Sequence, residues 1–426
     1  MKLSLLALVP TLALAQVTAS VQTQPLPGGP ITTGDDTALW VLADGGAVVL
    51  VTNSASNQMA GVNAYHLADG TFVNSTVDGP AVAVDVRYGL PFDGGTTDVV
   101  LGVQNDGTFQ LYNAGPAGLL SHLTLAASMG TQLQPSSGAL AWRDDDLFIF
   151  VGSFTGELQQ WQVNVSGANV TFTKVSERRL STRAIKALAG DELHDRLLVS
   201  IAGGGLGQVP LDPSVDAGFK VIDKEDGGSL GISPAGIGVY PVNGGNGGVI
   251  LVTDNAHNQV AAYVGDQLNN VFKIGQNGTI PDVRAPLGID VLTLPQLMPF
   301  HLGTLAVVDS VNNNGGPNAK LVPWSAIASL SDALPTATFD PRTLPHHKVV
   351  PVDAGCTTTD GGSDGGTDAG TCTGAGGGGG SGGTGGIHIG PNPGMPYEDH
   401  HCGCSNFGAF GGALWLLGLA LRRKKS

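Results

Sequence analysis

Cysteine is scarce in this chain. Four stand among 426 residues, at positions 356, 372, 402 and 404. No disulfide framework therefore holds the bulk of the molecule, even in an oxidising compartment. With no cysteine between residues 16 and 354, the bulk of the chain has no cysteine nucleophile, which removes one common route to covalent catalysis. The ten histidines do not fall at metalloenzyme spacings: His194 lies in a polar turn, and His346-His347 is an exposed pair late in the chain. Charge is sparse at 13%, and its balance is −15. An acidic surface disfavours nucleic acid as a partner and tolerates cations or cation-bridged ligands. No helical period stands out except in two terminal apolar runs. Glycine is what the chain has in excess, 65 residues, as turn-dense β structure with a flexible tail requires.

The ends read as addresses. Met1–Ala15 has a basic Lys2, an apolar run Leu3–Leu14 and an Ala13-Leu14-Ala15 cleavage pattern before Gln16, which predicts a signal peptide cut after Ala15. The competing reading is a short buried helix. Residues 353–400 are mostly a Gly, Ser, Thr and Asp stretch with no means of forming a core, so a flexible linker is expected. Residues 401–426 contain His401-Cys402-Gly403-Cys404-Ser405, an apolar run Phe407–Leu421 and a basic end, Arg422–Ser426. The run is short for a full span of roughly 20 residues, and the basic end would stay in the cytoplasm. Cys402 and Cys404 read as processing residues rather than zinc ligands, because the nearby His388, His400 and His401 substitute poorly for a second cysteine pair. Cys356 and Cys372 are candidates for a pair closing a small loop in the tail.

Between these ends lies a period, and the span left is ample for a sizeable core. A bulky residue near the end of a short strand-like run recurs at Tyr65, Tyr112, Trp161, Val209, Tyr263 and Trp324, at gaps of 47, 49, 48, 54 and 61 residues. Each unit holds three or four strand-like runs separated by Gly, Asp and Asn turns. The second has Ala81–Val86, Asp98–Val103, Thr108–Tyr112 and Leu119–Leu125. Six such units predict an all-β, six-bladed β-propeller over residues 33–352, monomeric, preceded by a Pro-rich segment, Gln16–Gly34. The innermost strands are expected at Ala38–Val41, Ala83–Val86, Ala139–Trp142, Ile185–Ala189, Ile237–Tyr240 and Ile289–Leu292. Within Ala83–Pro91, Asp85 and Arg87 share one face, and Tyr-Gly-Leu-Pro reads as a stop.

Four strings, in order, carry a resemblance: GDDTALWV (Gly34–Val41), VDVRYGLP (Val84–Pro91), GIDVL (Gly288–Leu292) and KLVPWSAIA (Lys320–Ala328). With weaker echoes at Gly156–Val163 and Ala235–Tyr240, they resemble the secreted β-propeller phytases. The C-terminal arrangement likewise resembles the sorting tag of myxobacterial secreted proteins. The competing reading there is a plain membrane anchor. These resemblances imply export to the cell surface or beyond, with the membrane engaged through the C-terminal segment before processing, and the mature protein held or released.

The family resemblance implies a channel-mouth cluster of calcium ions, held by carboxylates, that bridges the phosphates of inositol hexakisphosphate and activates a water. The aligned positions here depart from that pattern. They read Ile185-Lys186, Ile201-Ala202, Ser233-Pro234-Ala235-Gly236, Leu287-Gly288 and Ser137-Gly138, with Ser54 and about Asp106 where basic residues would stand. Asp35, Asp36, Asp85, Arg87, Asp290, Asp309 and Asn312 remain.

By the resemblance, Asp36 would bind a structural calcium with the carbonyls of Thr37 and Val84, and Asp309 and Asn312 are further candidate metal ligands. The alternative for Asp36 is a cap on backbone N–H groups. Asp85 and Asp290 read as buried, satisfied carboxylates, Asp85 paired with Arg87. Asp144-Asp145-Asp146 and Asp254-Asn255 read as turns, and Gly203–Gly207 as a turn between strands rather than a phosphate loop. The favoured function is a non-catalytic binding or structural module at the envelope, with an unidentified ligand for which a phosphorylated small molecule is a candidate. The alternative is a calcium-dependent phosphomonoesterase.

Overall fold

The computed structural model describes residues 14–343, apart from 29–33, 57, 115–119, 123–128, 216, 225–229, 231–233, 243–247 and 313–314. The expected signal peptide up to residue 13, His346-His347, the expected linker, all four cysteines and the expected C-terminal tag lie outside the described residues.

Six sheets follow one another around a ring. Blade 1 is β3 (Thr37–Val41), β4 (Ala47–Asn53), β5 (Gly61–His66) and β6 (Phe72–Ser75). Blade 2 is β7 (Ala81–Phe92), β8 (Gly95–Gln104), β9 (Phe109–Ala114) and β10 (Leu120–His122). Blade 3 is β11 (Pro135–Arg143), β12 (Asp146–Ser153), β13 (Glu157–Ser166) and β14 (Asn169–Arg179). Blade 4 is β15 (Ile185–Asp191), β16 (Arg196–Ile201), β17 (Gly205–Pro210) and β18 (Lys220–Asp223). Blade 5 is β19 (Pro234–Tyr240), β20 (Val249–Asp254), β21 (Gln259–Val264) and β22 (Gln267–Gly275), and blade 6 is β23 (Pro286–Leu292), β24 (Thr304–Asp309) and β25 (Asn318–Pro323). The first strand of each blade packs on the first strand of the next, and β23 returns to β3. These are the strands expected to be innermost. Five of the six residues that mark the repeat fall on the third strands β5, β9, β13, β17 and β21, where their bulk is buried. Trp324 follows directly on β25.

Burial explains the texture of the sequence. The second strands are covered on both faces by neighbouring blades, so they read as unbroken apolar runs such as Val48–Val51, Ile149–Val151 and Leu305–Val308, all at most 1% exposed. Outer strands alternate, as in Asn169–Arg179, because only one face is covered.

Two features differ from the sequence reading. The ordered fold begins before residue 33. β1 (Ala15–Thr18) adds in parallel to β22 as a fifth strand of blade 5, and β2 (Val21–Gln22) adds antiparallel to β25, completing blade 6. The Pro-rich segment therefore closes the ring. The stop after Arg87 is also not a stop. Gly89 takes φ 75° at a bulge between Arg87 and Leu90, and β7 continues through Pro91 to a hairpin at Asp93-Gly94.

After β25, the short helix α1 (Trp324–Ala328) leads into a strap across one end of the ring. Trp324 Nε1 donates to Pro335 O at 2.7 Å, the Tyr240 hydroxyl to Ala337 O, and Thr293 Oγ1 to Phe339 O at 2.6 Å. Arg342 Nη1 reaches Leu42 O at 3.4 Å, so the strap runs from blade 6 over blade 5 to blade 1.

Candidate functional site

The central channel holds two cavities of about 120 Å³ each, which share Asp36, Leu188 and Ile237 in their walls. The first lies where the inner strands begin. The second lies toward the strap, and Pro341 of the strap is part of its lining.

The second cavity is a charge network. The inner strands carry Asp85 on β7 and Asp290 on β23 into it, and a 3-10 turn, Glu192–His194, brings in Glu192 from blade 4. The Arg87 guanidinium donates to Asp85 Oδ1 at 2.8 Å, to Glu192 Oε1 at 2.5 Å and to Val86 O at 2.8 Å. Glu192 Oε1 also accepts from Trp142 N at 3.3 Å. Burial pushes Asp290 up to about 7, reinforced by the nearby Asp85 charge, while two backbone N–H bonds pull the other way. Burial likewise raises Asp85 and, strongly, Asp36. Arg87 is held above its ordinary value by Asp85 and Glu192 against the penalty of burial.

One hydrogen-bond pattern recurs at Asp36, Asp85 and Asp290. Each accepts the N–H of its own successor through Oδ1 and an N–H of the next blade's inner strand through Oδ2. Asp36 takes Thr37 at 3.0 Å and Val84 at 3.1 Å. Asp85 takes Val86 at 2.7 Å and Leu140 at 2.7 Å. Asp290 takes Val291 at 2.7 Å and Leu39 at 2.7 Å. These carboxylates are inter-blade staples. Gly288 makes room for one of them, since a Cβ there would meet Asp36 Cα at 2.4 Å.

The first cavity gathers four of the positions that the sequence analysis compared with the family pattern. Ser137, Lys186, Ala235 and Leu287 all line it, with Ser136 and the half-exposed Phe154. Its ionisable lining, among the described residues, is Asp35, Asp36 and Lys186. Burial raises Asp35, while a Ser54 hydrogen bond and the Lys186 charge lower it. Ser136 and Ser137 turn inward, donating to Ile185 O at 2.6 and 3.3 Å. Ile201 pairs with Ile185 across β15 and β16. Asp106 caps its own turn by accepting from Thr108 N at 2.9 Å.

The sequence model of the family described as Phytase matches residues 6–347. The chain belongs to the phytase family. Among solved structures, similarity is found to the alpha-L-arabinofuranosidase Arb93A from Fusarium graminearum bound to an iminosugar inhibitor, at 13% identity and TM-score 0.46. It covers 72% of this chain and 98% of that one. The complex of the Fusarium graminearum enzyme with arabinobiose gives 14% identity and TM-score 0.47 over the same shares.

Calcium is general in the phytase family, so the candidate ligands must be tested against it. At Asp36 both carboxylate oxygens accept amide hydrogens, and the donors are Thr37 and Val84, the two residues whose carbonyls were expected to join it around a metal. Asp309 and Asn312 do come together, but around an ammonium. Lys320 Nζ lies 3.5 Å from Asp309 Oδ2, 3.3 Å from Asn312 Oδ1 and 2.6 Å from Gln22 Oε1, with both charged side chains fully buried. Arg284 N donates to Asp309 Oδ1 at 3.0 Å. Among the described residues, no three His, Cys, Asp or Glu side chains are grouped as metal ligands. The donor sets at Asp36 and at Asp309 with Asn312 do not fit calcium as they stand.

The remaining acidic clusters are turns. Asp144 takes a left-handed conformation in the β11–β12 hairpin, and Asp254 is buried, bound to His257 Nδ1 at 2.7 Å and Gln259 Nε2 at 2.9 Å. Gly203-Gly204 forms the β16–β17 turn. Glu192 and Lys320 do not stand out in the sequence as site residues. The polar Glu-Leu-His-Asp turn is the one sequence signal for Glu192, and Lys320 is hidden inside a matching family string.

Proposed function

We propose that this phytase-family propeller is a non-catalytic binding or structural module, exported to the cell envelope. The observation that carries this reading is the lining of the first cavity. A calcium cluster able to clamp phosphates needs about 6–8 oxygen ligands per ion, several of them carboxylates. The cavity offers Asp35, Asp36 and Lys186, and Asp36 is committed to two amide donors. In-line attack on a phosphate monoester without that clamp lacks both charge neutralisation and an activated water. The envelope assignment rests on the signal-peptide pattern and on the tail.

Calcium titration of the purified chain, with phosphate release from inositol hexakisphosphate as readout, tests the catalytic half. The expected outcome is no calcium-dependent release. Turnover near that of an active family member would overturn the reading and put a calcium-dependent phosphomonoesterase in its place. Fractionation of producing cells tests the address, with recovery in the cytoplasm as the refuting result.

A further inference from the structure

A third cavity, of about 280 Å³, lies outside the channel on blade 4 and has more than twice the volume of either channel cavity. His194, Arg196, Gln208, Pro210, Ala217 and Lys220 are in its lining. Strand register explains the grouping. Asp191 stands opposite Arg196, Arg196 opposite Pro210, and Gln208 opposite Lys220, so these side chains share one face of the blade. Ala217 comes from the β17–β18 connection. None of these residues stands in a string shared with the phytases.

A buried carboxylate sets up the polar wall. Asp191, 3% exposed, holds His194 Nδ1 through Oδ1 and Arg196 Nε through Oδ2, both at 2.7 Å. An ionised carboxylate only accepts, so Nδ1 carries the hydrogen and Nε2 is the ring nitrogen left for a ligand. Arg196 Nη1 donates to Gln208 Oε1 at 2.7 Å and to Asp266 Oδ1 at 2.6 Å, which fixes the plane of the guanidinium. Among the described residues, Arg196 Nη2, His194 Nε2 and Lys220 Nζ have no protein partner. The lining has one carboxylate among the described residues, Asp195, and Arg143 answers it at 3.6 Å. In a chain of net charge −15, the cavity is therefore an unanswered positive spot. Asp191 and Asp266 balance Arg196, so Lys220 supplies the surplus charge and Arg196 supplies direction.

We propose that this cavity binds a small organic monoanion, a carboxylate carried on an apolar body. One surplus positive charge matches one negative charge. A phosphate dianion would bring a second charge close to Asp195 and Asp266 with nothing to answer it. Arg196 Nη2 and Lys220 Nζ are charged donors suited to carboxylate oxygens, and Val209, Pro210 and Ala217 give the apolar body a wall. The cavity lies apart from the channel, so the proposal does not depend on whether phosphate is turned over there.

Ligand-observed NMR titration of the full chain with benzoate tests it. Saturable binding is expected with a Kd of about 1–10 mM, because the surplus is a single charge at an exposed rim. Benzyl alcohol keeps the body without the charge, and acetate keeps the charge without most of the body. Each should bind at least about fivefold more weakly. Lys220→Gln should weaken benzoate by about fivefold, and Lys220→Glu should abolish its binding. Lys220 is exposed, so both variants keep the fold. Lys273→Gln, the same change on β22, should leave the affinity unaltered. The proposal is overturned by a wild-type chain that shows no saturable benzoate binding, by unaltered affinity in Lys220→Glu, or by inorganic phosphate binding more tightly than benzoate. An equal loss in Lys273→Gln would mark a nonspecific charge effect and refute the site as well.

Discussion

The ring has two arcs that are joined by different chemistry. From blade 6 through blades 1 and 2 to blade 3, Asp290, Asp36 and Asp85 staple each inner strand to the next through carboxylate oxygens. From blade 3 through 4 and 5 back to 6, hydroxyls donate to carbonyls instead: Ser136 to Ile185, Ser200 to Pro234 and Thr253 to Leu287. Both arcs satisfy backbone groups that a buried sheet edge would otherwise leave bare. They differ in cost. A carboxylate accepting two amides makes the stronger bonds, but it must be desolvated and balanced. A hydroxyl gives a weaker bond that is indifferent to pH and ions. The channel is therefore electrostatically lopsided, and Arg87 with Glu192 ties the charged arc to blade 4.

Breaking the charged arc should have the largest effect. Asp85→Ala removes an inter-blade staple and one of the two carboxylates paired with Arg87, with an expected loss of about 3–5 kcal/mol in denaturant unfolding. A loss no greater than that of a hydroxyl variant would dissolve the distinction between the arcs. Next comes pH. Asp290 releases its proton at 3.8 when unfolded and at about 7 when folded. Between those values the native chain holds a proton that the unfolded chain has given up, so stability should fall as pH rises through this window. The melting temperature measured from pH 4 to 8 should decline, and Asp290→Asn should flatten the slope. A slope left unaltered in Asp290→Asn would assign it to other groups. On the neutral arc, Thr253→Val should cost about 1 kcal/mol at every pH. Smallest of all is Asp144→Asn in the β11–β12 hairpin, expected within about 0.5 kcal/mol because its partner Arg143 is 3.9 Å away at the surface.

What was legible in the sequence follows from this construction. Inner and second strands declared themselves because burial on both faces enforces apolar runs, and the third strands because each needs one bulky residue at a fixed place. The Asp85–Arg87 pair was legible because residues two apart on a strand share a face. Tyr-Gly-Leu-Pro misled because Gly and Pro are stop signals in general, whereas here Gly89 absorbs a bulge and Pro91 stands near the open end of the hairpin. β1 and β2 are four and two residues long, too short to show any period. Glu192 reaches Arg87 across 105 positions, and no local pattern encodes that. The partners of Asp36 and Asp309 were also hidden, since a string match fixes the position of an acid but not whether an amide, an ammonium or a metal faces it.

The closure by β2 sets an order of events in time. Gln22 is among the first described residues to be synthesised, and its partner Lys320 comes 298 positions later. At roughly 5–20 residues per second, the N-terminal strand waits on the order of tens of seconds with its edge unmatched. Until then blade 6 is incomplete and the ring is open. Contacts this distant make late, cooperative closure the slow step. A chain interrupted anywhere before β25 would expose strand edges at both ends of an unclosed arc, so such a fragment should aggregate rather than persist as a smaller propeller.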